Sequence, residues 1–246
     1  MYITANSLYR DTVNFFKTQW LTVFVIIFAS SIITATLDNF FAPTSNILIF
    51  FHESKKDQYY SLFEFIQTLT PNQQKQLLLF SIIKLISSLV GNTVLIGILI
   101  IFIQYISFKN ENLFLQLKPK NLFLFLNLFT LILVNTVIIQ IGLISLVLPG
   151  IILVILLSLS PIILIVNNVT IIQSILSSIK MTLCHAKIIF PAVILWLFSK
   201  FVVLVVLSDV KVIPEFILLL SLNIIINFIS SILVIYLFRF HMLLSA

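Results

Sequence analysis

Apolar runs of the length that an α-helix needs to cross a bilayer, about 20 residues for roughly 30 Å of hydrocarbon, recur along this chain. They fall at about 20–37, 86–106, 122–141, 149–166, 188–207 and 216–237. Ten-residue segments of strict alternation are absent, which argues against a β-barrel. Only 9% of the residues are charged and 61% are hydrophobic, so the chain cannot clothe a core in polar surface. The expected fold is all-α: a polytopic transmembrane helical bundle of about six spans in a single integral membrane domain, 1–246, with two short interfacial amphipathic helices.

Phe (24) is abundant and Gly (4) scarce. An AT-rich coding sequence drives residue choice in this direction whatever the fold requires, so a single Asn or Lys carries little information. Few small-xxx-small faces are left for close helix packing. The single cysteine, Cys184, allows no internal disulfide and no CxxC-type metal site. A net charge of +6 would suggest nucleic acid in a soluble chain. Here the cations flank the spans and read as topology signals, so no nucleic-acid partner is expected.

Residues 1–19 carry Arg10, Asp11 and Lys17, too polar for a signal-peptide core, and are expected to be retained. Leu8, Thr12, Phe15, Phe16 and Trp20 recur at helical spacing, which suggests an interfacial amphipathic helix with Trp20 at headgroup level. After the first span, 38–76 is a hydrophilic outer loop. Thr70-Pro71-Asn72-Gln73 reads as a helix start, with Thr as N-cap, Pro at the first helical position and Gln three residues after the cap. That helix should run to about Phe108, too long for one crossing, with a possible bend at Gly91.

Residues 142–150 hold no charge. They either extend the third span into a hairpin turning at Pro149-Gly150 or lie at the outer interface. Pro161 should kink the fourth span, because proline lacks a backbone donor and clashes with the preceding turn. Asn167-Asn168 end that span. In 170–187, Ile171, Ile172, Ile175, Ile179 and Leu183 make an apolar stripe opposite Ser174, Ser177, Ser178 and Lys180, and read as the second interfacial helix.

Six spans put both termini on one side. That side carries Arg10, Lys17, Lys109, Lys118, Lys120, Lys180, Lys187 and Arg239; the other carries Lys55, Lys56, Lys75 and Lys211. The positive-inside rule then places both termini in the cytoplasm of a bacterial inner-membrane protein.

Three histidines, His52, His185 and His241, fall on different segments without metal-ligand spacing. Ser178 lacks a G-x-S-x-G context, and no glycine-rich phosphate loop exists. No catalytic residue, cofactor or metal site is expected. Intramembrane ionisable residues are the better clue, since they need partners. Lys84 lies near a span end and can snorkel. Lys200 sits about 18 Å along its helix. An antiparallel hairpin brings it to the depth of Asn223, with Asn227 one turn further along that face. A Lys200, Asn223, Asn227 polar cluster is therefore the expected intramembrane site. All eight acids fall outside the expected spans, which disfavours proton- or sodium-coupled transport.

The opening Met1 to Phe16, with Gly91-Asn92, Gln140-Ile141-Gly142, Pro149-Gly150-Ile151 and Tyr236-Leu237-Phe238-Arg239, resembles the YciC-like family of uncharacterised bacterial inner-membrane proteins. More distantly, Leu148 to Ile152, Ser160-Pro161 and Ser177 to Thr182 are similar to the membrane domain attached to some glycerophosphodiester phosphodiesterases. In that pattern an acid usually follows the proline-bearing span, where this chain has Asn167-Asn168. The resemblance implies a membrane module without catalytic residues of its own. Two functions follow as expectations. One is a non-enzymatic scaffold or envelope module that contacts membrane lipids or an unidentified membrane protein partner. The other is a transporter or lipid-translocating protein with a site near Lys200 and the Pro161 kink.

Overall fold

The computed structural model describes residues 5–40, 70–108, 120–208 and 215–245. Most of the 38–76 loop, the connector before Lys120 and the turn around Lys211 lie outside the described residues. Within them the chain forms α1 (Ala5–Phe40), α2 (Pro71–Phe108), α3 (Lys120–Ser145), α4 (Val147–Leu157), α5 (Ser160–Asn167), α6 (Ile171–Cys184), α7 (Ala186–Ser208) and α8 (Glu215–Ser245). A chain that must satisfy every backbone group without water has helix as its natural spanning form. Six stretches are long and apolar enough to cross a membrane: α1, α2, α3, α4 with α5 as one broken span, α7 and α8.

The short α5 sits at the centre. It packs against α2, α3, α6 and α8 and buries Ser160, Ile162, Ile163, Leu164 and Ile165. On one flank α1 packs against α8 and α2, while on the other α7 lies mainly along α8.

The N-terminal segment differs from a helix lying on the membrane surface. It is continuous with the first span through a kink at Gln19 (φ −119°, ψ 19°). Leu8, Thr12 and Phe15 are buried, and the ring of Phe15 meets Phe102 edge-on at 6.3 Å while Phe16 meets Phe228 at 5.4 Å. The apolar stripe read from the sequence is real, but it faces α2 and α8 rather than lipid. Trp20, at the bend, is exposed.

α2 begins where the cap signal places it. The Thr70 N–H and hydroxyl both donate to Gln73 Oε1, at 2.9 and 2.8 Å. Its 38 residues span about 57 Å, well beyond one crossing. Gly91 is a close-contact position: a Cβ there would run into Thr34 Oγ1 of α1.

Residues 142–150 form the hairpin, but its turn is not at Pro149-Gly150. α3 continues to Ser145, and the chain reverses through Leu146, which is extended (φ −162°, ψ 146°). Pro149 and Gly150 fall in the first turn of α4. Proline is tolerated there because first-turn N–H groups have no intrahelical acceptor. Gly150 serves the crossing of the two helices, since a Cβ on it would meet the Leu143 side chain and one on Gly142 would lie 3.1 Å from Gly150 Cα.

Candidate functional site

The fourth span breaks between α4 and α5, at Ser158-Leu159, just before Pro161 in the first turn of α5. A helix end leaves its last carbonyls without i+4 donors, and here three serines supply them. Ser158 Oγ donates to the Ile155 carbonyl at 2.7 Å, and Ser160 Oγ to the Leu157 carbonyl at 2.7 Å. Ser178 Oγ of α6 donates to the Leu156 carbonyl at 2.6 Å. Leu157 is the residue whose carbonyl Pro161 would serve in an unbroken helix, so the Ser160 hydroxyl replaces the donor that proline lacks. From α3, Asn135 Nδ2 donates to Ser160 Oγ at 2.8 Å. Asn135 Oδ1 and Thr182 Oγ1 are buried without hydrogen-bond partners.

The kink expected from Pro161 is therefore a joint, gripped by α3 on one side and α6 on the other. The grip turns one face of α6 inward, with Ile171 and Ile175 packed against the core beside it. Its buried residues are Ser174, Ser178 and Thr182, all fully buried, whereas Ile172, Leu176 and Leu183 are exposed. Small polar side chains let backbones approach in a bilayer, where apolar side chains gain little by leaving lipid. A capping box starts α6, with the Gln173 N–H on Thr170 Oγ1 at 3.4 Å and the Thr170 N–H on Gln173 Oε1 at 3.3 Å. Asn168 closes the preceding α5 in the left-handed region (φ 50°).

The expected Lys200, Asn223, Asn227 cluster is distributed differently. Lys200 Nζ lies 4.1 Å from the ring centroid of Trp196, one turn back on α7, as helical side-chain direction dictates. Among the described residues no hydrogen bond joins Lys200 to Asn223. Asn227 turns to α1, donating to Ser31 Oγ at 2.9 Å and Ser30 Oγ at 3.4 Å. Lys84 is exposed, with Nζ 5.8 Å from the Phe80 ring.

His52 lies outside the described residues. His185 places Nδ1 3.3 Å from the Met181 carbonyl and its ring edge-on to Phe240, and His241 is buried on α8. Among the described residues no three His, Cys, Asp or Glu side chains gather as a metal site. The residues sequence reasoning passed over are Asn135 and Ser158. Asn135 carried a signal, being an amide in the middle of the 122–141 apolar run.

A bundle of six membrane-length helices with one span broken and stapled from both sides defines a polytopic α-helical membrane protein. The chain belongs to the uncharacterised protein family UPF0259, whose family model matches residues 1–243. It is 43% identical over 247 residues to a UPF0259 membrane protein of Buchnera aphidicola subsp. Baizongia pistaciae, covering 99% of this chain and 98% of the relative. A UPF0259 membrane protein of Pectobacterium carotovorum subsp. carotovorum is 36% identical over 250 residues, covering 100% of both. One from Yersinia pestis (strain Pestoides F) is 34% identical over 248 residues, covering 99% and 97%. The YciC-like resemblance is consistent with this family. No solved structure matches the chain.

Proposed function

We propose that the chain is a non-enzymatic module of the bacterial inner membrane, a scaffold or envelope component that engages lipids or a membrane protein partner. The observation that carries this reading is the use of the buried hydroxyls. Ser158, Ser160 and Ser178 each donate their hydroxyl hydrogen to a backbone carbonyl at the joint, which commits all three hydroxyls to bracing helices. The resemblance to the membrane domain of glycerophosphodiester phosphodiesterases supports the same reading. The positive-inside count supports an orientation with both termini in the cytoplasm. There the exposed Arg10, Lys17, Lys180 and Lys187 would meet anionic headgroups.

One observation favours transport or lipid translocation as a second reading: among the described residues, the Lys200 ammonium has the Trp196 ring and no acceptor. Reconstitution separates the two. Fluorescent-phospholipid translocation in proteoliposomes and rescue of an envelope defect in a deletion strain are measured for Lys200→Met and for Ser178→Leu, which forces α6 off the joint. A module keeps its rescue in Lys200→Met and loses it in Ser178→Leu. Translocation that is present in the wild type and abolished by Lys200→Met in a folded protein would overturn the module reading.

A further inference from the structure

The Tyr236-Leu237-Phe238-Arg239 segment ends in a cation that makes no ion pair among the described residues. Arg239 is half-buried on α8, and its guanidinium carbon lies over the Phe15 ring of α1 at 5.0 Å. Its Nε is buried without a hydrogen-bond partner. Asp11 lies on α1 one turn before Phe15, yet among the described residues it makes no ion-pair contact with Arg239. The guanidinium is thus held by its face, and among the described residues its N–H groups meet no acceptor. Their planar fork matches the oxygens of a phosphate.

Depth identifies the source of the phosphate. From Phe216, where the apolar part of α8 begins, to Arg239 is about 35 Å of helix, against about 30 Å of hydrocarbon. The side chain leans back by about one turn, which sets the guanidinium at the boundary between acyl chains and headgroups. Exposed cations, together with the acid Asp11, lie on the helices packed against α8. Arg10 and Lys17 are exposed on α1, and the corner between α6 and α7, carrying Lys187, is pinned to α8 by the His185–Phe240 contact at 5.4 Å.

We propose that Arg239, oriented by Phe15, binds the phosphodiester of an anionic glycerophospholipid. This rests on the module reading above and names its lipid class. Detergent-purified full-length protein is titrated with phosphatidylglycerol and bound lipid counted by native mass spectrometry. The variants are Arg239→Gln, Arg239→Lys and Lys84→Gln. The expected result is one tightly held lipid, weakened about tenfold to a hundredfold by Arg239→Gln, as losing charge-assisted hydrogen bonds predicts, and weakened less by Arg239→Lys, which keeps the charge without the fork. Lys84→Gln, at an exposed charge on α2, should change binding by less than about threefold. Millimolar inorganic phosphate should not compete.

Wild-type binding by Arg239→Gln, an equal loss in Lys84→Gln, or displacement by inorganic phosphate would each overturn the site. If Arg239→Gln does not yield folded protein, Arg239→Lys decides: unchanged affinity removes the proposal. Envelope rescue scored in parallel keeps the two ideas apart. A variant that loses the lipid and still rescues supports the site while moving the module's role to a protein partner. One that keeps the lipid and fails to rescue ends the site and leaves the module standing.

Discussion

Ser174 and Ser178 of α6 make a controlled pair for testing what holds the broken span. Both are fully buried, both lie on the same stripe, and each loses one hydroxyl on substitution by alanine. They differ in their acceptors. Ser178 donates across to the Leu156 carbonyl of α4 at 2.6 Å, where the helix end supplies no i+4 donor. Ser174 donates to the Ile171 carbonyl of its own helix at 2.9 Å, a local bond that competes with the helical one and contributes little. Interhelical hydrogen bonds in membranes average about 0.6 and reach about 1.7 kcal/mol. An orphaned buried carbonyl adds to the loss, within a range of about 1–3 kcal/mol. Ser178→Ala should therefore cost about 1–2 kcal/mol and Ser174→Ala less than about 0.5. Reversible unfolding in mixed detergent micelles, monitored by circular dichroism, measures both. The small void left by each hydroxyl is common to the pair and cancels in the difference. Equal losses, or a larger one at Ser174, would refute the claim that α6 staples the joint.

Three further outcomes are expected. Gly91→Ala brings a Cβ into Thr34 Oγ1 and should destabilise the α1–α2 contact by about 1–3 kcal/mol; adding Thr34→Ala should recover most of it in thermal unfolding, and no recovery would contradict the geometry. Asn227→Leu and Ser31→Ala should each lower stability. Their double-mutant cycle should show a coupling of about 0.6 kcal/mol or more, because Asn227 donates to Ser31 at 2.9 Å, and strict additivity would deny the bond. Cys184, the single cysteine, is exposed at the end of α6. A membrane-impermeant maleimide should label it in inside-out vesicles and not in intact spheroplasts, and the reverse pattern would invert the proposed topology.

The helix ends were legible because their causes are local. Thr70, Pro71 and Gln73 carry their chemistry within one turn, and the Gln73 bonds form as that spacing implies. Asn168 needs only its own tolerance of the left-handed region. The apolar face of the first 19 residues was legible as a stripe, but what it would meet was not. An amphipathic helix looks alike whether its stripe lies on lipid or on α2 and α8, and only the partner rings of Phe102 and Phe228 decide. The hairpin turn was misplaced because Pro-Gly is strong turn chemistry in water-soluble chains. Here the proline occupies a first turn where it forfeits no hydrogen bond, and the glycine serves a crossing.

The face that α6 turns inward follows from what a bilayer supplies and what it does not. In water a helix buries its apolar stripe, so Ile172, Leu176 and Leu183 would have turned inward. In a bilayer those side chains are already in their preferred solvent, and nothing drives them into the bundle. What lipid cannot provide is a hydrogen-bond donor, and the broken fourth span presents carbonyls that require one. The face carrying Ser178 therefore turns inward, with Ser174 and Thr182 one turn to either side making room for the close approach. Lys200 falls under the same rule with the opposite sign. Its three donors find no acceptor among the described residues, and its ammonium settles on the face of Trp196, the nearest negative potential its own helix can offer.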